Sequence, residues 1–195
     1  MFVDVRISFT DMKLLLLLLA SICSLFANAN DLEMFCLKGS VDSVCIIMND
    51  AGLEWQTEFS FDKDGKLVRI DDNEFDCKRD AKGRIASITV EDAVEDDENV
   101  FTTIEMQLSY DNARRVTKVR STSADETWEQ IYRYDEKGLL KERGYDSADE
   151  DETLKYVYLK FDKHGNWTER LEKLSSMDQT IAQTRHIIYR NQTKQ

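Results

Sequence analysis

The side chains best placed to do chemistry in this chain are carboxylates, and they come in runs. Glu95, Asp96 and Asp97 form one run; Asp149, Glu150 and Asp151 form another. Oxygen donors at that density suit Ca²⁺, which collects roughly six to eight oxygen ligands. The spacing matches neither an EF-hand loop nor a glycine-rich nonapeptide repeat, so the expectation is solvated acidic loops and no bound metal. There are two histidines, His164 and His186, and no Gly-x-Ser-x-Gly, His-Glu-x-x-His or phosphate-loop pattern. Paired carboxylates could serve glycoside hydrolysis, but among 38 acidic residues such pairs carry little information. The residues predict no catalytic site and no cofactor. Cys36, Cys45 and Cys77 lack metal-site spacing. In an oxidising compartment they allow one disulfide among three open pairings; left free, they are small buried apolar residues.

The elements that must position these groups announce themselves through a recurring turn. Phe61-Asp62-Lys63-Asp64-Gly65 is its clearest copy, and it returns at Asp80 to Gly83, Asp111 to Arg114, Asp135 to Gly138 and Asp162 to Gly165. The Asp can accept a hydrogen bond from the N–H two residues on, and the Gly supplies the positive φ that ends a type I hairpin turn in a bulge. Arg114 stands where the other copies have Gly, which predicts a looser turn or one of another type. Between the turns, apolar and polar residues alternate. Ile104, Met106, Leu108 and Tyr110 share one face, as do Trp55, Thr57, Phe59 and Phe61. Leu154, Tyr156 and Tyr158 oppose Val157, Leu159 and Phe161, which predicts a strand covered on both sides.

These patterns predict an all-β protein, an antiparallel hairpin meander of about twelve strands between residues 41 and 190, with one strand at 74 to 80 and a helical turn at most over Ser175 to Gln183. Such a sheet cannot leave an apolar face in water, so it should curl into a barrel-like or sandwich form. Trp55, Tyr110, Trp128, Tyr132, Tyr134, Tyr156, Tyr158 and Trp167 are expected mostly in the core, with a sugar stacked on exposed members as the other reading. The Asp-x-x-Gly turns should fall at one end of the meander and the acidic connections at the other.

The repeat resembles the YD repeats of the bacterial RHS family, over roughly residues 39 to 190. The stretch Phe161-Asp162-Lys163-His164-Gly165-Asn166-Trp167-Thr168 looks like the last unit of short secreted members. The resemblance implies an antiparallel β-structure used as shell or scaffold, in some members linked to toxin delivery or carbohydrate binding.

Ahead of the repeats, Met12-Lys13, the leucines Leu14 to Leu19 and the small-x-small site Ala27-Asn28-Ala29 read as a secretory signal peptide over 1–29, with Met12 as an alternative start. Its apolar stretch is shorter than the ~20 residues of a membrane-spanning helix, and lipidation at Cys23 is the second reading. Residues 30–195 then form one domain. A net charge of −12 excludes an electrostatic footprint for nucleic acid, and the absence of proline leaves sheet edges to be guarded by charge. The expected function is that of an exported, non-enzymatic module, periplasmic or extracellular, binding a protein or glycan at the envelope. The alternatives are a scaffold or partner-protecting protein and an envelope hydrolase.

Overall fold

The computed structural model describes residues 30–94, 97–146, 151–175 and 180–190. The expected leader, with Met12 and Cys23, and the acidic positions Glu95, Asp96, Asp149 and Glu150 lie outside the described residues.

Thirteen strands follow a short 3-10 turn, Asp31–Phe35: β1 Val41–Asp50, β2 Leu53–Phe61, β3 Leu67–Ile70, β4 Asn73–Glu74, β5 Lys78–Arg79, β6 Ile85–Val94, β7 Asp97–Tyr110, β8 Val116–Thr122, β9 Thr127–Tyr134, β10 Leu140–Asp146, β11 Asp151–Phe161, β12 Trp167–Leu174 and β13 Thr180–Tyr189. All belong to one antiparallel sheet in the order β4-β3-β2-β1-β13-β12-β11-β10-β9-β8-β7-β6-β5. The expected all-β meander is therefore present, with two differences. The strand expected at 74 to 80 is split, because Phe75 and Cys77 turn in against the core between β4 and β5. Of the expected helical turn, residues 176–179 lie outside the described residues, while 180–183 belong to the start of β13, where Ala182 and Gln183 pair with β12 on one side and β1 on the other. Two flanking ladders outweigh local helix preference there.

The order of strands dictates curvature. The first and last strands are neighbours, whereas β4 and β5, adjacent in sequence, are the two edges. Only Phe75, Asp76 and Cys77 join Glu74 to Lys78, so those edges stand no more than about 14 Å apart. The sheet must bend round on itself into an open barrel whose seam lies between β3–β4 and β5–β6.

The seam is held at the turn end by the segment that precedes β1. Asp31 accepts the Leu67 N–H of β3 at 2.8 Å and both guanidinium nitrogens of Arg79 in β5 at 2.8 and 2.9 Å. Lys66 Nζ also crosses the seam to the Gly83 carbonyl at 2.8 Å. Around Asp31 the segment acts as a plug. Leu32, Met34, Phe35 and Leu37 are buried, and the Phe35 ring lies tilted against Phe59 at 4.7 Å and edge-to-face with Phe61 at 5.3 Å. On the far side, Asn166 grips the Lys38 backbone, accepting its N–H at 2.7 Å and donating to its carbonyl at 3.0 Å.

All five repeat turns share one hydrogen-bond pattern. Asp62, Asp80, Asp111, Asp135 and Asp162 each accept, at Oδ1, the N–H four residues on. Arg114 departs from expectation: its φ is +63° and its N–H bonds the Asp111 carbonyl at 3.0 Å, as Gly does in the other copies. The turn keeps its type and carries the strain, and Arg115 helps hold it by pairing with Asp111 at 2.6 Å. Tyrosines close to the turns, Tyr110 and Tyr134 directly before the turn Asp and Tyr158 four residues before Asp162, also have a defined task. Tyr110, Tyr134 and Tyr158 donate their hydroxyls to the carbonyls of Ile85, Val116 and Leu140, the first residues of β6, β8 and β10. Arg84 and Arg115 stack over Tyr110 and Tyr134 at 4.4 and 4.8 Å. Each hairpin is thus pinned to the next.

The strand expected to be covered on both faces is covered on one. Val157, Leu159 and Phe161 are 41%, 52% and 45% exposed, because the curled sheet is a single layer and, among the described residues, nothing packs outside β11.

Candidate functional site

Period-2 alternation carries alternate side chains of every strand into the barrel. On β1, β2, β3 and β6 to β8 these are Val44, Ile46, Met48, Phe59, Phe61, Leu67, Ile85, Ile88, Ile104, Met106, Val116 and Val119, all buried. On β9, β10, β12 and β13 they are of another kind. Gln130, Arg143, Arg170, Glu172, Gln183 and Arg185 are each at most 2% exposed, with Tyr132, Tyr156 and Trp167 among them. Three arginines and a glutamate have been taken out of water in one arc of the wall. Such burial is costly unless the groups are paired.

The pairing can be followed bond by bond. Glu172 accepts from Gln183 Nε2 at 2.7 Å through one oxygen and faces Arg143 Nη2 at 3.4 Å through the other. Gln183 Oε1 in turn accepts from Arg170 Nε at 2.6 Å. The Arg170 guanidinium stacks on Tyr156 at 4.3 Å and on Trp167 at 4.2 Å, and Arg185 covers the same indole at 3.7 Å. Tyr132 donates to Gln130 Oε1. Burial pushes the hydroxyl pKa values of Tyr132, Tyr145 and Tyr156 upward, so all three remain neutral. Burial also opposes the charge on Arg143, yet its surroundings, with Glu172 facing it at 3.4 Å, outweigh that and hold its pKa above the ordinary value.

The network is incompletely satisfied. Among the described residues, Arg143 Nε and Nη1, Gln130 Nε2, Tyr156 Oη and Trp167 Nε1 are buried without a hydrogen-bond partner. Buried polar atoms in native proteins are nearly always bonded, so a cluster of them calls for a physical account.

The residues singled out from sequence fall elsewhere. His164, exposed in its turn, lies 4.2 Å from the Tyr189 ring, while His186 stands on the outward face of β13 opposite Cys45, so the two are not brought together. Cys36, Cys45 and Cys77 are free. Cys36 is buried in the plug and Cys45 looks outward beside Glu58 and His186, so the wall separates that pair. Burial raises the thiol pKa of both Cys45 and Cys77, keeping them protonated and unreactive. Among the described residues no group of His, Cys, Asp or Glu has the arrangement of a metal site. The turn residues Asp62, Gly65, Asp80, Gly83, Asp111, Asp135, Gly138, Asp162 and Gly165 are structural. Of the aromatic set, Tyr132, Tyr156 and Trp167 are buried and the other five pack against the core partly exposed.

The signal for the inward arginines was present in β13, where Ile181, Gln183, Arg185, Ile187 and Tyr189 alternate in one phase. On β10 and β12 it was hidden. Register shifts at Leu140/Glu142 and Lys160/Phe161 move Arg143 and Arg170 out of simple alternation with Leu140 and Trp167.

No protein-family model and no curated protein matches the chain. Among solved structures, a porin-like protein from Bacteroides vulgatus is similar to it, with a TM-score of 0.40 and 12% identity over 79% of this chain and 100% of that one. A likeness that loose carries no argument about what the barrel does.

Proposed function

We propose that this protein is an exported, non-enzymatic binding module, built on RHS-like hairpin repeats, that takes a small ligand inside its open barrel at the bacterial envelope. The observation that carries the reading is the polar arc of the interior. Packing alone asks for apolar residues there, and the chain instead buries charged and hydrogen-bonding groups whose capacity is unfilled.

Other modes of binding have less support. Strand addition needs a free edge, yet β4 and β5 are two residues each and sit beside the Asp31 clamp. Glycan stacking on an outer aromatic row would need rings that here point inward. The outward positions Glu105, Gln107, Lys118, Arg120, Glu129 and Arg133 make a face suited to water, whereas a membrane barrel presents an apolar band. Among the described residues no helix is long and apolar enough to cross a membrane.

A thermal-shift screen of the purified protein against neutral sugars, small oxyanions and Ca²⁺ tests the proposal. A ligand at 100 times its Kd adds about 2.7 kcal/mol, or roughly 5 to 10 °C in Tm for a domain this size. A shift of that size with one small-ligand class is expected. No shift with any class sinks the interior-binding reading and favours a scaffold.

A further inference from the structure

We infer that the polar arc holds the oxyanion group of a small molecule, a carboxylate, phosphate or sulfate, bonded to Arg143 with Gln130 and Tyr156 beside it. The inference rests on the interior-binding reading and names the chemistry of its ligand.

Three observations lead there. The first is that the unfilled capacity is capacity to donate. Arg143 Nε and Nη1 and Gln130 Nε2 can only donate, and the Tyr156 hydroxyl can donate as well. Of the unpartnered atoms that can accept, Asn30 Oδ1 and Glu33 Oε1 belong to the plug segment at the turn end, and Ser121 Oγ, on β8 beside β9, can accept or donate. A buried water would bring two hydrogens of its own into a ring of donors; an oxyanion brings acceptors alone.

The second is the state of Arg143. Its side chain is fully buried, and Glu172 faces it at 3.4 Å with one oxygen while giving the other to Gln183 at 2.7 Å. A charge-assisted bond between such groups normally closes to about 2.7–2.9 Å. The guanidinium is therefore held in place by Glu172 on one side and packed 5.0 Å over the Tyr145 ring, with Nε and Nη1 left unbonded, and two such nitrogens are what arginine offers a planar oxyanion.

The third is that the donors are already fixed. Gln130 is oriented by the Tyr132 hydroxyl at its carbonyl oxygen, which aims its Nε2 away, and Arg170 stacks at 4.3 Å on the Tyr156 ring. Arg143 and Tyr132 are register partners on β10 and β9. A preorganised set of donors loses little entropy on binding.

Isothermal titration of the purified protein with inorganic phosphate, sulfate and octanoate is the test, since these separate a phosphoryl, a sulfuryl and a carboxylate source. At least one should bind with a Kd below about 1 mM, and Arg143→Gln should weaken it about 10- to 100-fold, the worth of a hydrogen bond to a charged group. Lys160→Gln, which removes the same charge from the outer face, should change it less than about 2-fold because an exposed charge is screened. If none of the three binds, or if Arg143→Gln binds as wild type, the inference is overturned. Should a neutral sugar bind while all three anions fail, the inference falls and the interior-binding reading stands; failure of both classes removes both. Where Arg143→Gln does not fold, the Arg143 Nε–H resonance of the wild-type protein decides. It should shift on adding the bound anion, and an unmoved resonance counts against the site.

Discussion

The two arcs of the barrel wall obey the same alternation and put it to opposite uses. From β1 to β3 and from β6 to β8, inward positions hold Val44, Ile46, Phe59, Ile88, Ile104 and Met106, with occasional small hydroxyls such as Thr57 and Ser121. From β9 to β13 the equivalent positions hold Gln130, Arg143, Arg170, Glu172, Gln183 and Arg185. The first arc gains stability from every inward side chain. The second gives stability up at six inward positions, and the proposed ligand site rests on that difference.

The largest effects should separate the arcs most clearly. Phe59→Ala, under the plug and 4.7 Å from Phe35, should cost about 3–5 kcal/mol in urea unfolding. The double change Arg143→Met with Glu172→Leu should cost no more than about 1 kcal/mol and can raise Tm, since well-packed apolar residues commonly replace a buried ion pair without loss. If the double variant loses as much as Phe59→Ala, the polar arc is a structural element and the contrast fails.

Asp31→Ala comes next. It strands the Leu67 N–H and Arg79 together, and with Arg79 partly exposed the cost should be about 2 kcal/mol. Amide exchange should quicken in β3 and β5 while β10 to β12 stay protected, because the clamp serves the seam and not the polar arc. Uniform acceleration across the sheet would show that the plug stabilises both arcs alike.

The turns sharpen the comparison at lower energy. On the apolar side, Arg114→Gly relieves a side chain held at φ +63° and should stabilise by about 1 kcal/mol, read as a higher urea midpoint at unchanged m. On the polar side, the Asp162 turn should respond to pH. Burial opposes its carboxylate, but bonds from the Tyr189 hydroxyl and the N–H groups of Asn166 and His164 prevail and hold its pKa below the usual carboxylate range. A folded pKa below the unfolded value of about 3.9 gives stability that is present above that pH and drains as pH falls through the folded value. The gap between wild type and Asp162→Asn should therefore close in acid. Glu33 has the opposite slope. Burial raises its pKa, so Glu33→Gln should gain stability at neutral pH, and the gain should fade as pH falls through the raised value.

How much of this was legible depended on whether the cause was local. The Asp-x-x-Gly turns, the inward phase of β2 and β7 and the overall meander rest on neighbouring residues, and reading the chain was enough. Bulges defeated the same reading at Arg143 and Arg170, where one extra residue turns a seemingly outward charge into the core. The plug was invisible because Asp31–Phe35 has no periodicity and derives its meaning from Leu67 and Arg79, distant in sequence. The outer face of β11 was misread since apolar residues on both faces imply two covers only when the sheet has a second layer.

Because β1 is flanked by β2 and β13, the sheet cannot be completed until the last strand has been made. Every pairing except β1–β13 joins consecutive strands and could zip up as the chain emerges, but β1 would wait with an unpaired flank until β13 arrives. The same wiring offers a topological remedy. Arg190 already donates its N–H to the Ser40 carbonyl at 2.8 Å, so a linker that runs from the end of β13 to the start of the plug segment, with the chain reopened near Asp76, would place the thirteen described strands in the sheet in the order of synthesis. Such a circular permutant would turn the most distant pairing in the molecule into a local one, and it should fold faster to the same barrel.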